Sequence, residues 1–568
     1  MSARTLSAER LSVALTWTLR IGLFLLPLAY SPFTYDGYVL PKLLLARVLA
    51  VVLLVLLASR AVAARALVIK RTPLDIPLLA FLSSAALSTV FAENQNVALF
   101  GTYARYDGLL TLITFAALYW LAVQAIADQS EARVVIRVLL ASGYVVAAVA
   151  IMQSVHDSVQ QGFVAPAFGS LGNPNVLGAL LALVIALAAG ELIRARSAPA
   201  RILSANVLVV TGVALVLTFS RSSWLAAAVA IAFIVATRPA RVGKQVGLAL
   251  VASLAVALVM VVTIARLDSA FRAKVITLAN PSAIAGSRLG IWTDSLRVAA
   301  SRPVVGYGPD NVGLVFPRFQ TGDWSTPGQI RQPIDKAHAE LLQVAATQGL
   351  IGVATYLWIL VAFMRAFWRA RRTDDVAAVA AGFIGYQLVV QLNFTALASA
   401  LPFWIFAAAA MTLCESVRGD KWVVSRRSGY AALVPILGAA AAVVVWGLVS
   451  TYLADVRLRE AVDTDYAGRP QEAQPSAADA RRLGPRESVY AVEVGNLAFE
   501  QDRWAAARDA YRAAAELGTF NPLVYRNLAL ADRNLGLIPE ARDAARKAVE
   551  LDRFDPANQA LLAEFQRV

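Results

Sequence analysis

Residues 203–237 read LSANVLVVTGVALVLTFSRSSWLAAAVAIAFIVAT. Two apolar runs flank Phe219-Ser220-Arg221-Ser222-Ser223. A helix needs about 20 apolar residues to cross a hydrocarbon core, with roughly 17 the practical minimum. The stretch is therefore either one over-long helix with a cation in its middle or two spans meeting at a tight polar tip. An arginine at a helix centre costs roughly 2.5–3.5 kcal/mol on insertion scales, less toward the interface. A single helix would also place the basic clusters 194–201 and 238–244 on opposite sides. The expectation is a hairpin with Arg221 at its tip.

Working outward, the same ruler gives thirteen candidate spans. They lie near 13–30, 43–59, 75–91, 108–126, 137–155, 175–193, 203–219, 222–237, 246–265, 342–364, 376–393, 397–414 and 431–452. Composition agrees. Of 568 residues, 58% are hydrophobic and 16% charged, and mean hydropathy is +0.60. Soluble domains carry about 25% charged residues. The expected fold class is all-α, a polytopic membrane protein of about 12–13 spans.

Lysine and arginine orient the array. With the N-terminus in the cytoplasm, one set of short loops holds 22 basic residues, from Arg4 and Arg10 to Arg426 and Arg427. The opposite short loops hold Arg105 and Arg221. Such a bias fixes orientation and accounts for most of the +14 net charge, so the excess needs no nucleic-acid partner. The orientation predicts a large polar loop, 267–340, and a hydrophilic tail, 453–568, both outside the cytoplasm. The transmembrane domain is read as 1–452.

The tail repeats itself. Ala507-Arg-Asp-Ala-Tyr-Arg-Ala-Ala-Ala-Glu-Leu517 and Ala541-Arg-Asp-Ala-Ala-Arg-Lys-Ala-Val-Glu-Leu551 share eight identities at an offset of 34. Ala473, Ala480 and Leu483 hint at an earlier copy. A 34-residue helix-turn-helix period is that of tetratricopeptide repeats. Few repeats bury little alone, so the tail is expected to dock on the outer loop, continue the last span or bind a protein partner. Asp463-Thr464-Asp465 has an Asp-x-Asp form, a weak metal-site match in a polar linker. One cysteine and two histidines cannot supply a zinc site of the usual nitrogen and sulfur ligands, and no cofactor or metal is expected.

The outward face gathers Arg105 in Gly101-Thr-Tyr-Ala-Arg-Tyr-Asp-Gly108, Asn173 in Gly172-Asn-Pro-Asn175, and Arg221. It adds Arg288 in Gly286-Ser-Arg-Leu-Gly-Ile-Trp292 and His338 in Asp335-Lys-Ala-His-Ala-Glu340. An arginine near a helix end can snorkel to headgroups, and Arg105 can pair with Asp107. Together, however, these cations form an anion site at a water–membrane boundary. Guanidinium forks grip diphosphate with paired, charge-assisted bonds, and an imidazole can accept a proton from a hydroxyl. His156, beside Asp157, reads as a surface residue.

The order of these motifs, with Pro303-x-x-Gly306-x-Gly308, Ala337-His338-x-Glu340-Leu341-Leu342 and Gly349-Leu-x-Gly352, resembles the O-antigen ligase and O-antigen polymerase superfamily of bacterial membranes. It is closest in plan to members with a tetratricopeptide tail. The resemblance covers roughly residues 13–415. It implies a GT-C-like, metal-independent, inverting glycosyltransferase of the cytoplasmic (inner) membrane with an undecaprenyl-diphosphate-linked glycan as donor. By the same resemblance Arg221 and Arg288 bind the diphosphate, Arg105 assists, and His338 is the base. Where relatives often carry Asn after the histidine, this chain has Ala339. Glu340 or Asp335 is then expected to orient the imidazole. The implied acceptor is a lipid A core, a growing glycan or a protein side chain. A flippase for the same lipid-linked glycans, or a membrane-anchored scaffold acting through its tail, are the competing readings.

Overall fold

The computed structural model describes residues 3–238, 244–276, 281–324, 333–423 and 429–567. Arg241, Arg426 and Arg427 of the basic set lie outside them. The protein is all-α, with 77% of its residues helical. Each predicted span is a helix, from Ala3–Leu25 to Gly429–Tyr466. Among the described residues six helices, Leu40–Ala64, Gln129–Gln161, Pro174–Arg194, Ala198–Leu217, Glu340–Arg369 and Pro435–Tyr466, are long and apolar enough to cross a membrane. The chain is a multi-pass membrane protein.

Pro174–Arg194 is the axis of the bundle, packed against Ala198–Leu217, Arg221–Thr237 and Asp374–Gln391. Small residues permit the approach, as between membrane helices generally. A Cβ on Gly178 would lie 2.1 Å from the Ser223 hydroxyl, and one on Gly190 2.2 Å from the Ala378 methyl.

The expected hairpin is present. Ala198–Leu217 ends, Phe219 takes φ +56°, and Arg221–Thr237 begins. The chain reverses there. The Ser220 hydroxyl donates to Asn175 Oδ1 (2.8 Å) at the start of the axial helix. Arg238, past the other end of the hairpin, lies 3.2 Å from Asp374, and Arg194 lies 2.6 Å from Asp375. The bundle thus has two chemically distinct ends. At the basic end, Arg133 (3.0 Å) shares Asp375 with Arg194. The site end holds residues 173, 220, 288, 338 and 393 (see below).

Two features go beyond the sequence reading. Residues Ala66–Arg71 and Arg418–Val423 pair as an antiparallel two-stranded ribbon at the basic end, Ala66 opposite Val423 and Arg71 opposite Arg418. The described residues of the large polar loop 267–340 include helices Ser269–Ile276, Pro281–Ser301 and Val312–Phe319. Their core is Ile291, Val298, Tyr307, Val312, Val315, Phe316 and Ala346. Phe271, fully buried, packs at a tilt against Phe219 (centroids 4.6 Å apart) and Trp224 (5.9 Å), clamping the hairpin tip.

The last span runs unbroken into the tail as Gly429–Tyr466. Beyond it, helices start at Pro470, Trp504 and Ile538 and at Ser488, Pro522 and Pro556, each set spaced by 34 residues. The repeating Ala473, Ala507 and Ala541 are fully buried where paired helices touch. The tail docks back on the site end. Arg318 bonds both Glu550 (2.9 Å) and Glu93 (2.6 Å), and Arg553 donates to the carbonyls of Pro317 (2.8 Å) and Gln320 (2.7 Å). Buried Asp455 accepts from Tyr103 Oη (2.5 Å), Tyr490 Oη (3.3 Å) and the Asp36 amide (2.9 Å), joining span, loops and tail.

Candidate functional site

The segment carrying His338 is tied down by ion pairs. Arg105 donates through Nε (2.6 Å) and a terminal nitrogen (3.3 Å) to Asp335. Lys336, buried, reaches Asp107 and Asp310 at 2.7 Å each, and Asp310 accepts from the Thr102 amide (2.6 Å) and hydroxyl (2.9 Å). The alternative of an Arg105–Asp107 pair is not what forms: Asp335 lies across from Arg105, and Asp107 serves Lys336. A buried ammonium between two carboxylates has the compensation that burial of charge requires.

Neither residue expected to orient the imidazole bonds it. Asp335 is engaged by Arg105, and Glu340 Oε2 accepts from the Thr395 amide (2.8 Å). His338 is held through its backbone instead. Its φ is +51°; its carbonyl accepts from Trp292 Nε1 (3.1 Å); and the neighbouring Ala337 amide donates to Gln343 Oε1 (2.8 Å). The ring packs edge-on against Phe394, centroids 5.5 Å apart, and makes no hydrogen bond among the described residues. Burial, then the charge of Arg288, pushes the imidazole down to about 4, against the opposing pull of Asp335. It is neutral at physiological pH.

Arg288 and Trp292 lie four residues apart on Pro281–Ser301 and so share a face. Trp292 holds the His338 backbone; Arg288 donates to the Leu392 carbonyl (2.8 Å) and to Asn393 Oδ1 (3.1 Å). Asn393 in turn donates to Ser222 Oγ (2.7 Å), next to Arg221. Arg288 binds its proton less tightly than a free guanidinium, chiefly because it is buried and then because Arg221 is close. Two guanidiniums and a neutral imidazole thus converge at one end of the bundle, where an anion would offset the charge of the two guanidiniums.

The remaining motifs hold this arrangement. Asn173 caps the axial helix, Oδ1 accepting from the amides of Asn175 (2.8 Å) and Val176 (3.4 Å). It also lines a cavity of about 210 Å3 with Arg105, Asp107 and Phe394. Residues 303–308 pair with a kink in Glu340–Arg369 at Gly349. Tyr307 and Gly308 amides donate to the Ala346 and Thr347 carbonyls (3.0 and 2.9 Å), and Leu350 donates back to Pro303 (2.7 Å). A Cβ on Gly349, at φ +64°, would lie 2.3 Å from the Val304 oxygen. His156 is exposed, and Asp463 pairs with Arg459 (2.7 Å) along its own helix.

Sequence reasoning missed the linker between Asp374–Gln391 and Leu397–Leu413. Leu392 and Asn393 receive Arg288, Asn393 reaches Ser222, Phe394 packs on His338 and under Arg105 (5.4 Å), and Thr395 meets Glu340. Its one signal was position: a short polar break between two apolar runs, opposite the basic end.

This arrangement overlaps a stretch of the chain that matches a family model. Residues 206–357 match the family model described as O-Antigen ligase. The match takes in Arg221, Arg288, His338 and Glu340, and supports an O-antigen ligase- or polymerase-like membrane glycosyltransferase at the level of the family. Arg105, Asp107, Asn173 and the 392–395 linker lie outside the matched residues. No curated protein matches the chain.

Proposed function

We propose that this protein transfers a glycan from an undecaprenyl-diphosphate-linked donor to an acceptor hydroxyl at the site end of the bundle. The acceptor is a sugar hydroxyl of a lipid A core; a growing glycan or a protein side chain would use the same donor chemistry. The site end faces the extracytoplasmic side of a bacterial inner membrane, in keeping with the 22-to-two bias of basic residues. The tail, on that side, acts as a tetratricopeptide-like brace.

Arg288 and Arg221 hold the two phosphates, and Arg105 stands near the sugar. The neutral imidazole of His338 takes the proton of the acceptor hydroxyl. That oxygen forms its bond to the anomeric carbon as the carbon–oxygen bond to phosphate breaks, and the electron pair leaves on the diphosphate. Attack from the face opposite the leaving group inverts the anomeric centre. Guanidiniums stabilise the charge that grows on the leaving oxygen, as preorganised donors do elsewhere, and fixed alignment lowers the entropic part of the barrier. Cationic side chains alone supply the compensation, so the proposed reaction uses no metal.

The observation that carries this reading is the link Arg288–Asn393–Ser222 beside Arg221, with the His338 imidazole in the field of Arg288. The test is turnover by the purified full chain with a defined undecaprenyl-diphosphate glycan and acceptor, with and without chelator. Arg221→Ala and Arg288→Ala should each lower kcat by roughly 10²–10³-fold, and His338→Ala by roughly 10²–10⁴-fold, with folding intact. Wild-type turnover in the His338 variant removes the base; strict dependence on a divalent ion overturns the metal-free mechanism.

A further inference from the structure

A cavity of about 610 Å3 lies away from the candidate site, within the roughly 300–1,000 Å3 range of small-molecule pockets. Its wall is largely apolar, with Leu140, Ala141 and Tyr144 from Gln129–Gln161 facing Leu203 and Val207 from Ala198–Leu217 across Ala188. Leu203 and its neighbour Ile202 are 67% and 70% exposed, as expected of side chains turned to hydrocarbon. The groove is open to the bilayer at the basic end.

Its polar mouth is lined by Arg137 and Glu191, and Arg133, Arg194 and Asp375 line the adjoining cleft on the far side of Glu191. Arg137, 58% exposed, has Glu191 at 3.7 Å. The same Glu191 serves Arg194 at 2.9 Å, and Asp375 is shared by Arg194 (2.6 Å) and Arg133 (3.0 Å). Three guanidiniums therefore share two carboxylates, and Arg196, two residues beyond Arg194, is exposed. A phosphate would balance the excess. The donor diphosphate is not that ligand. The 21-residue axial helix, about 30 Å long, separates this mouth from the hairpin tip that carries Arg221.

We propose that this groove is a site for an anionic glycerophospholipid, one acyl chain lying along Leu140, Tyr144 and Val207 and the headgroup phosphate at Arg137. Basic pockets between membrane helices hold anionic headgroups by this combination of burial and charge.

The test uses the full chain in detergent, titrated with phosphatidylglycerol or phosphatidylcholine and followed by native mass spectrometry and thermal unfolding. Wild type should retain phosphatidylglycerol in preference and gain Tm with it. Arg137→Gln should bind phosphatidylglycerol roughly fivefold more weakly, the effect of one cation near a lipid phosphate, with phosphatidylcholine binding unchanged. Ala141→Trp, which fills the groove, should lose one bound lipid. Equal retention of the two lipids by wild type overturns the proposal. So does an Arg137→Gln protein that keeps the phosphatidylglycerol preference, or a folded Ala141→Trp protein with an unchanged lipid complement. If Ala141→Trp does not fold, Arg137→Gln, at an exposed position, decides alone.

Discussion

At the scale of the residue, His338 is set apart by its protonation. An imidazole at about 4 instead of its ordinary 6.5 remains neutral across the physiological range. The acid limb of kcat/KM, which reports the free enzyme, should therefore fall near pH 4. A bound diphosphate would offset Arg288 and Arg221, so the acid limb of kcat should lie higher. Coincident limbs would mean that His338 does not face the diphosphate. The unfolded chain binds the imidazole proton more readily than the folded one, so folding weakens as pH falls from about 6.5 to 4 and then levels off. Asn393, 2% exposed, is bonded on both sides, to Arg288 and Ser222. Asn393→Ala should cost about 1–3 kcal/mol of stability and at least tenfold in kcat/KM; unchanged turnover in a destabilised variant would make Asn393 purely structural. Lys336→Met should cost about 3–5 kcal/mol, since it leaves Asp107 and Asp310 without their buried counter-ion, and thermal unfolding reads this directly.

At the scale of the element, the spans were legible because apolar length is a one-dimensional property that a bilayer enforces. Arg221 and His338 stood out because charge and imidazole are conspicuous among apolar runs. Asn393, Phe394 and Thr395 did not, since an amide, a ring and a hydroxyl in a short linker have no periodicity; only folding brings them against Arg288, His338 and Glu340. Val312–Phe319, eight residues with Pro317 inside, and the six-residue strands at 66 and 418 were too short for their patterns to be read. The Gly349 kink is a case in which sequence flagged the residue and structure supplied the reason. Gly349→Ala would force a side chain into φ +64° and against the Val304 oxygen. It should lower Tm and raise amide exchange across 303–308; an unaltered exchange pattern would show that the kink does not hold that loop.

At the scale of the molecule, the tail and the membrane bundle are one body joined at several points. Arg318 and Arg553 fix the far repeats, and Asn94 and Asn96 bond the carbonyls of Glu516 (3.1 Å) and Leu517 (3.2 Å). Arg553→Ala should raise amide exchange in 538–567 while leaving the bundle as protected as before; equal protection throughout would mean that the two backbone bonds contribute nothing to docking. The first wall of the tail is built on the shaft of the last span. Ala454, Leu458 and Val462 pack with Ala480 and Tyr490, and Ala461 packs with Ala473, Ala477 and Leu497. The repeats therefore stand at a fixed height and azimuth on the end of the bundle, like a crane turret welded to its mast, and any molecule that bound them would have to come to that one bearing.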